Sequence, residues 1–243
     1  MTAVRRNEEE NQMRRVTCEE PGRGLGLTRR TFAGLAAGGL AAGGLLVPAA
    51  PVLAAPASVT FRVFRKGDEI GMHSVTITPA DGRLDVDVKI ELAVKLAMIT
   101  VFYYRQTARD TWRDGKLVAG RYRTDDDGKV TELALDVADG RLKIDGAAGR
   151  TEAPLGTMTD LAFWNESIVH APQLVDSQTG ALGTMQTDAK EVERITVRGR
   201  EVEATRYTVS GSYGRGGKVW YADGQWVKAA FVTRGEALDY ELV

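Results

Sequence analysis

Residues 84–96 read Leu-Asp-Val-Asp-Val-Lys-Ile-Glu-Leu-Ala-Val-Lys-Leu and alternate along their whole length. Even-numbered positions carry Leu, Val or Ile, and odd-numbered positions carry Asp, Lys or Glu, apart from Ala93. A period of two places the two sets on opposite faces of a β-strand, whereas a helix would distribute the charges all round. The stretch therefore predicts a long strand with one face in a core and the other in solvent.

The alternation ends after Leu96, because residues 97–104 (Ala-Met-Ile-Thr-Val-Phe-Tyr-Tyr) are apolar on both faces. One unbroken strand through both segments would be roughly 70 Å long, far beyond the usual length. The chain is therefore predicted to bend, bulge or break near Met98. We also expect the second apolar face to be covered by another part of the chain, by a partner or by a bound apolar molecule.

Glycine turns separate the remaining strand-like segments. Asp-Gly occurs at positions 81–82, 114–115, 127–128, 139–140, 145–146 and 223–224, and it supplies the positive φ angles of tight hairpins. This spacing is typical of an antiparallel meander. We therefore predict a mainly β protein, built as a strongly curved antiparallel sheet or an open β-barrel-like meander. Its further strands are expected at 59–65, 70–78, 116–123, 130–137, 142–145, 192–198, 201–210, 218–221, 226–233 and 237–242.

Residues 154–185 lack alternation and form the irregular part of the chain. Within them, residues 161–170 predict a short helix, capped by Thr159 or Asp160 and ended by Pro172. Loops that interrupt a regular sheet often carry function. We therefore expect a single β-rich domain over 58–243, with one short helical insertion at about 154–185 across its open end.

The N-terminal region has the pattern of an export signal. Arg29, Arg30 and Phe32 precede an uncharged stretch, residues 33–55, of small and apolar residues. This order is typical of a twin-arginine signal peptide, and the weak hydrophobicity favours removal over a permanent membrane span. An ordinary export signal that happens to carry two arginines is the alternative.

The export signal also predicts the location of the mature protein. Small residues permit cleavage after Ala54 or after Ala57, so that residues 1–57 comprise a disordered n-region and the signal. We expect the mature protein in the periplasm or secreted by the twin-arginine route.

The composition of the mature region narrows the possible functions. It carries 25 basic and 28 acidic residues, and Cys18, the one cysteine, lies upstream of cleavage. The charge balance gives no basic surface for nucleic acid, and disulfides and thiolate chemistry are excluded. His73 and His170 are the only histidines, so we expect no metal site and no cofactor.

Seven residues are predicted to contact a ligand. In the segment that is apolar on both faces they are Met98, Phe102 and Tyr104, and in the insertion they are Trp164, Asn165, His170 and Asp176. An aromatic ring beside an amide and an imidazole suits a small-molecule pocket. The alternative is structural: the aromatic rings close the open end of the sheet, and Asn165 satisfies backbone groups there.

Other polar clusters favour structural roles. Asp125, Asp126 and Asp127 are consecutive and lack the alternate spacing of a calcium loop, so a hairpin turn is the better interpretation. Ser167 and His170 lie one helical turn apart, but the chain has no Gly-x-Ser-x-Gly motif. Five arginines lie close together in the sequence: Arg105, Arg109, Arg113, Arg121 and Arg123. We expect them to pair on the surface with nearby Asp110, Asp114 and Asp125–Asp127.

The chain resembles a family of exported bacterial proteins catalogued as domain of unknown function 6134. The resemblance implies a secreted β-rich fold and supplies no activity or site residues. It is carried, in order, by residues 61–71 (FRVFRKGDEIG), 104–115 (YRQTARDTWRDG), 124–128 (TDDDG), 163–165 (FWN), 176–180 (DSQTG) and 219–224 (VWYADG).

Three functional hypotheses follow. The first is a non-enzymatic envelope module that binds an apolar small molecule or a protein partner. The second is a hydrolase-like enzyme that uses His170, Asn165 and Asp176 of the insertion. The third is a purely structural role in an envelope assembly. The absence of a complete catalytic set favours a binding or scaffold role over catalysis.

Overall fold

The computed structural model describes residues 58–212, 216–233 and 235–243. The n-region and signal peptide predicted for 1–57 lie outside the described residues. These described residues belong to one compact unit. Its strands are β1 (Val59–Arg65), β2 (Asp68–Ala80), β3 (Arg83–Leu96), β4 (Ile99–Arg113), β5 (Lys116–Asp126), β6 (Lys129–Ala138), β7 (Arg141–Gly146), β8 (Gly149–Pro154), β9 (Met158–Thr159), β10 (Gln173–Val175), β11 (Leu182–Val197), β12 (Arg200–Gly211), β13 (Gly216–Ala222), β14 (Gln225–Thr233) and β15 (Glu236–Leu242).

All fifteen strands belong to one sheet, in the order β8-β7-β6-β5-β4-β3-β2-β1-β15-β14-β13-β12-β11-β10-β9. Most strands that follow one another in the chain pair antiparallel; β9 and β10 pair parallel, and β8 and β9 lie at opposite edges. Strand β1 joins β15 through the register Phe61↔Leu242. Only three residues, 155–157, connect the two edge strands β8 and β9, so the sheet must curve strongly. The predicted mainly β fold with a curved open sheet is confirmed.

The break predicted near Met98 is a hairpin turn between β3 and β4, which pair from Leu96↔Ile99 onwards. The even-numbered residues of β3 are buried from Val86 to Leu92, as the alternation predicts, whereas Leu96 at the end of the strand is 73% exposed. The expected cover for the second apolar face is not provided by the described residues at this turn. Met98 is 94% exposed, and its apolar neighbours are also exposed. We call this exposed group the apolar tip: Leu96, Met98, Ile99 and Val101.

Most of the expected Asp-Gly turns are present, with Asp114, Asp127, Asp139 and Asp223 at positive φ. The turn predicted at Asp145-Gly146 is wrong. Gly146 ends β7 and pairs with Gly149, so the turn lies two residues later. A Cβ at Gly146 would lie 2.6 Å from the carbonyl oxygen of Thr179; this glycine therefore permits the insertion to approach the sheet closely.

The insertion contains two short 3-10 helices, Ala162–Trp164 and Glu166–His170, instead of one α-helix. The predicted caps are also wrong, because Leu161 precedes the first helix and makes no side-chain cap. The extended backbone of Asn165 separates the two helices. Its side chain accepts a hydrogen bond from the Ser167 amide at 3.1 Å and caps the second helix.

The insertion packs against the inner face of the sheet. Trp164 lies edge-on to Trp112 of β4, with ring centroids 5.0 Å apart. Phe163 contacts Phe231 of β14, with centroids 4.8 Å apart. One continuous apolar core therefore joins the insertion to both halves of the sheet. A smaller cluster around Trp220 forms a separate apolar group with Ala204 and Val227.

Candidate functional site

Two adjoining cavities lie between the inner face of the sheet and the insertion. The larger has a volume of about 510 Å³ and the smaller about 170 Å³. They share part of their walls and are therefore direct neighbours. The shared residues are Ile90, Asp160, Leu161, Phe231, Thr233 and Tyr240.

The larger cavity has mainly apolar walls and reaches the protein surface beside the apolar tip. Leu92 and Val94 of β3 form one wall with Phe102 of β4. Val101, which is 52% exposed, also lines the cavity. An ion pair between Arg65 of β1 and Glu236 of β15 (2.8 Å) also lines this cavity, so these two charges neutralise each other there.

A chain of hydrogen bonds fixes the insertion to β4 at the side of the larger cavity. The buried Gln106 amide donates to the Ser177 hydroxyl at 3.0 Å, and its carbonyl oxygen accepts from the Tyr104 hydroxyl at 2.8 Å. Gln178 donates to the same tyrosine oxygen at 3.1 Å. Because each of these polar groups has a hydrogen-bond partner, the network holds this wall of the cavity in place.

The smaller cavity contains a buried histidine without a hydrogen bond. His73 of β2 is 5% exposed, and neither ring nitrogen has a partner among the described residues. Its neighbours are aromatic: Trp226 and Tyr240 lie edge-on, at centroid distances of 5.5 and 5.7 Å. Burial lowers the pKa of His73 to about 3, so the imidazole is uncharged at neutral pH.

Two carboxylates of the insertion also line the smaller cavity. Asp160 accepts a hydrogen bond from the Ser177 amide at 3.0 Å. Asp176 accepts from the Thr179 amide at 2.8 Å and from the Thr179 hydroxyl at 2.9 Å. Both carboxylates therefore organise the loop that follows β10 while contributing negative charge to the cavity wall.

The structure places three of the seven predicted ligand contacts in the cavity walls: Phe102 and Tyr104 in the larger and Asp176 in the smaller. Met98 lies in the apolar tip and Trp164 in the core against Trp112. The other two line neither cavity. Asn165 caps a 3-10 helix, and His170 is exposed beside the ring of Tyr207.

Sequence reasoning missed His73 and Tyr240 as cavity residues. The sequence does indicate that His73 points inward. It alternates in step with Val75 and Ile77 and therefore lies on the same face of β2. Nothing in the sequence indicates that the insertion leaves space in front of this position. Tyr240 of β15 shows the same pattern, because it alternates with Asp239 and Glu241, which lie on the other face of the strand.

The predicted partners of the surface arginines are wrong, and Asp110 is buried instead of lying on the surface. Three of the five arginines pair with other carboxylates. Arg109, Arg121 and Arg123 pair with exposed carboxylates of neighbouring strands, namely Asp87, Asp136 and Glu132. Asp125 accepts a hydrogen bond from the Gly128 amide at 2.9 Å, as in a hairpin turn. Within the described residues, no three His, Cys, Asp or Glu side chains are grouped to hold a metal ion.

These features define a class: a protein with one strongly curved antiparallel sheet, whose inner face is partly filled by an insertion. Residues 61–243 match a family described as domain of unknown function DUF6134, and the chain belongs to that family. No curated protein has a matching sequence. None of the described helices is long and apolar enough to cross a membrane.

A solved structure shares the fold. It is the crystal structure of a β-barrel-like protein of domain of unknown function DUF1849 from Brucella abortus, with a TM-score of 0.51 and 10% sequence identity. The match covers 76% of this chain and 94% of that chain. At this identity the similarity concerns the fold alone.

Asp110 of β4 is a second buried group with an altered pKa. It is 1% exposed and accepts a hydrogen bond from the Tyr122 hydroxyl. Burial raises its pKa from 3.8 to about 7. The folded state therefore binds the proton of the Asp110 carboxyl more tightly than the unfolded state does. The protonated carboxyl contributes stability at acid pH, and this contribution is lost as the pH rises through 7.

We predict that Asp110→Asn removes this pH dependence. The free energy of unfolding of the variant, relative to the parent protein, rises between pH about 4 and 7, by at most about 1.4 kcal/mol per pH unit. Urea unfolding at a series of pH values measures the difference. Asp81→Asn, at an exposed turn between β2 and β3, controls for loss of a carboxylate; a pH-independent difference for Asp110→Asn would contradict the assignment.

Proposed function

We propose that this protein is a non-enzymatic binding module for an apolar small molecule, held between the sheet and the insertion. The observation that carries the proposal is the pair of adjoining cavities with largely apolar walls, which are partly open to solvent, between the sheet and the insertion. The larger cavity, about 510 Å³, falls within the size range of small-molecule sites. Its walls combine many apolar side chains with a few polar groups, which is also typical of such sites.

The cavity is difficult to explain as ordinary packing. Protein interiors are close-packed, and an unfilled apolar space loses dispersion contacts along all its walls. The same inner face is tightly packed elsewhere, where Phe61 lies 4.3 Å from Trp226. A ligand would restore the missing contacts in the remaining space.

The apolar tip supports entry of the ligand beside β3 and β4. Val101 belongs to both the tip and the wall of the larger cavity, so one apolar surface continues from the outside to the interior. Contiguous exposed apolar residues of this kind mark surfaces that contact lipids, ligands or partner proteins. The turn at the tip also differs from the other hairpin turns. Ala97 takes a positive φ of 54° without a following glycine, whereas the other non-glycine residues at positive φ are each followed by glycine.

The geometry favours binding over the hydrolase-like alternative. That alternative requires His170, Asn165 and Asp176 to act together. Asp176 lines the smaller cavity, whereas the other two residues lie outside both cavities. Asp176 and Asn165 are each engaged in organising their own local turn.

A bulky residue in the cavity wall should displace the ligand. Val94→Trp is expected to weaken the binding of the apolar fluorophore N-phenylnaphthylamine by about tenfold or more, because the indole would occupy the larger cavity. Fluorescence titration measures the affinity. The matched control is Ala93→Trp, the adjacent position, which lines neither cavity and should retain the parent affinity. Equal affinities for both variants would contradict the proposed site.

We also propose that the protein acts outside the cytoplasm, after export by the twin-arginine route. The support lies in the sequence, where Arg29, Arg30 and Phe32 precede an uncharged segment of small residues. The single cysteine lies upstream of both expected cleavage points, which suits a domain that is stable without disulfides.

Replacing both arginines of the motif should block export. Arg29→Lys combined with Arg30→Lys is expected to leave the precursor in the cytoplasm, because the pathway recognises the arginine pair and not only its charge. Cell fractionation and immunoblotting give the distribution. Arg23→Lys, outside the motif, is the matched control. Undiminished export of the double variant would favour the ordinary export signal.

A further inference from the structure

The apolar tip belongs to a hairpin that extends beyond its neighbours in the sheet. The register of β2 with β3 ends at the pair Gly71↔Leu92, and that of β4 with β5 begins at the pair Tyr104↔Asp126. Beyond these pairs, residues 93–103 continue as a hairpin of β3 and β4 alone. The distance along the strand from Leu92 to the turn is roughly 16 Å, at about 3.3 Å per residue.

The end of this hairpin is exposed on both of its faces. Each residue from Lys95 to Val101 is exposed, and Met98, Leu96 and Ile99 are 94%, 73% and 70% exposed. These three side chains lie outside the apolar core of the described residues. Grouped apolar residues that do not pack in the fold indicate a surface that is covered when the protein functions.

The shape of the hairpin favours a lipid surface over a protein partner. A flat protein surface can cover only one face of a projecting hairpin, whereas lipid chains adapt to both faces at once. Amphipathic segments at a bilayer surface bury their apolar side chains about 5–10 Å into the boundary between headgroups and acyl chains. A projection of roughly 16 Å reaches this depth while the sheet stays outside the bilayer.

The polar groups of the hairpin also suit a bilayer surface. Residues 93–103 carry one charged side chain, that of Lys95, and its long stem lets the ammonium group remain among the headgroups. Tyr103 lies at the base of the hairpin, with the Arg105 guanidinium 4.9 Å from its ring centroid. Tyrosine is enriched where a membrane meets water, because its ring is apolar and its hydroxyl group is polar.

Both signs of charge are present at this base. Asp125 is opposite Arg105 in the register of β4 and β5, and its carboxylate accepts a hydrogen bond from the Tyr103 hydroxyl at 3.5 Å. Attraction to anionic lipids should therefore contribute little. Burial of the apolar side chains should supply most of the affinity, so that binding is nearly independent of salt.

We propose that the apolar tip inserts into the outer part of one leaflet of a lipid bilayer and docks the protein on a membrane surface. This docking does not depend on the proposed binding function. It adds a consequence to that function, because Val101 and Phe102 of the hairpin also line the larger cavity. The cavity then opens beside the bilayer, and an apolar ligand can pass between the two.

Flotation with vesicles of phosphatidylcholine tests the docking. The parent protein should float with the vesicles at low and at high salt. Met98→Asp is expected to lower the partition coefficient by about tenfold or more, because it removes apolar area and places a charge in the interface. The matched control is Val192→Asp, on β11 and outside the tip, where the parent side chain is 62% exposed; it should bind like the parent.

Tryptophan at the same two positions shows which part of the surface meets the lipid. The emission of Met98→Trp should shift to shorter wavelength when vesicles are added, and brominated phosphatidylcholine should quench it. Val192→Trp should show neither change. The native tryptophans, Trp112, Trp164, Trp220 and Trp226, are buried, so the parent protein provides the baseline.

The outcomes separate this inference from the proposed function. Equal vesicle binding by Met98→Asp and the parent, or equal responses of the two tryptophan variants, would overturn docking by the tip. A parent that does not bind vesicles would also overturn it, whether or not the tip holds a protein partner. Met98 lines neither cavity, so Met98→Asp should keep the parent affinity for N-phenylnaphthylamine without vesicles. Failure of the parent to bind this fluorophore would overturn the binding function and leave the docking intact.

Discussion

The structure depends on one constraint, which is that a single amphipathic sheet must cover its own apolar face. Fifteen strands are available and the described part of the chain contains no second sheet to pack against them. Pairing of β1 with β15 joins the two halves of the sheet, and the strong curvature turns its apolar residues toward one another. Residues of the insertion, led by Phe163 and Trp164, fill much of the enclosed space.

Incomplete filling follows from the same constraint. The insertion contacts the inner face at the aromatic cluster and at the hydrogen bonds between Gln106 and Ser177, and between these contacts a cavity remains. His73 lines this space, and its ring nitrogens have no hydrogen bond among the described residues, whereas the nearby Phe61 packs fully.

The sequence predicts the elements of this fold better than it predicts their site. The alternation of residues 84–96 reports a local property, the two faces of a strand, and its apolar side is buried as expected from Val86 to Leu92 but exposed at Leu96. The end of β3 near Met98 also follows from local patterning. The placement of His170 outside the cavities and of His73 inside the smaller one depends on how the insertion crosses the sheet. That path is fixed by contacts between distant residues, such as Gly146 with Thr179, which no local pattern records.

Native mass spectrometry of the protein, purified gently from cells that express the precursor, tests the central claim most directly. The account predicts a reproducible additional mass that is lost on denaturation and is identified as an apolar small molecule. Since a bound molecule would restore the contacts missing from the cavity, it should survive mild purification. A protein that carries only its own mature mass in every preparation would contradict the account, and the cavity would then be a packing feature.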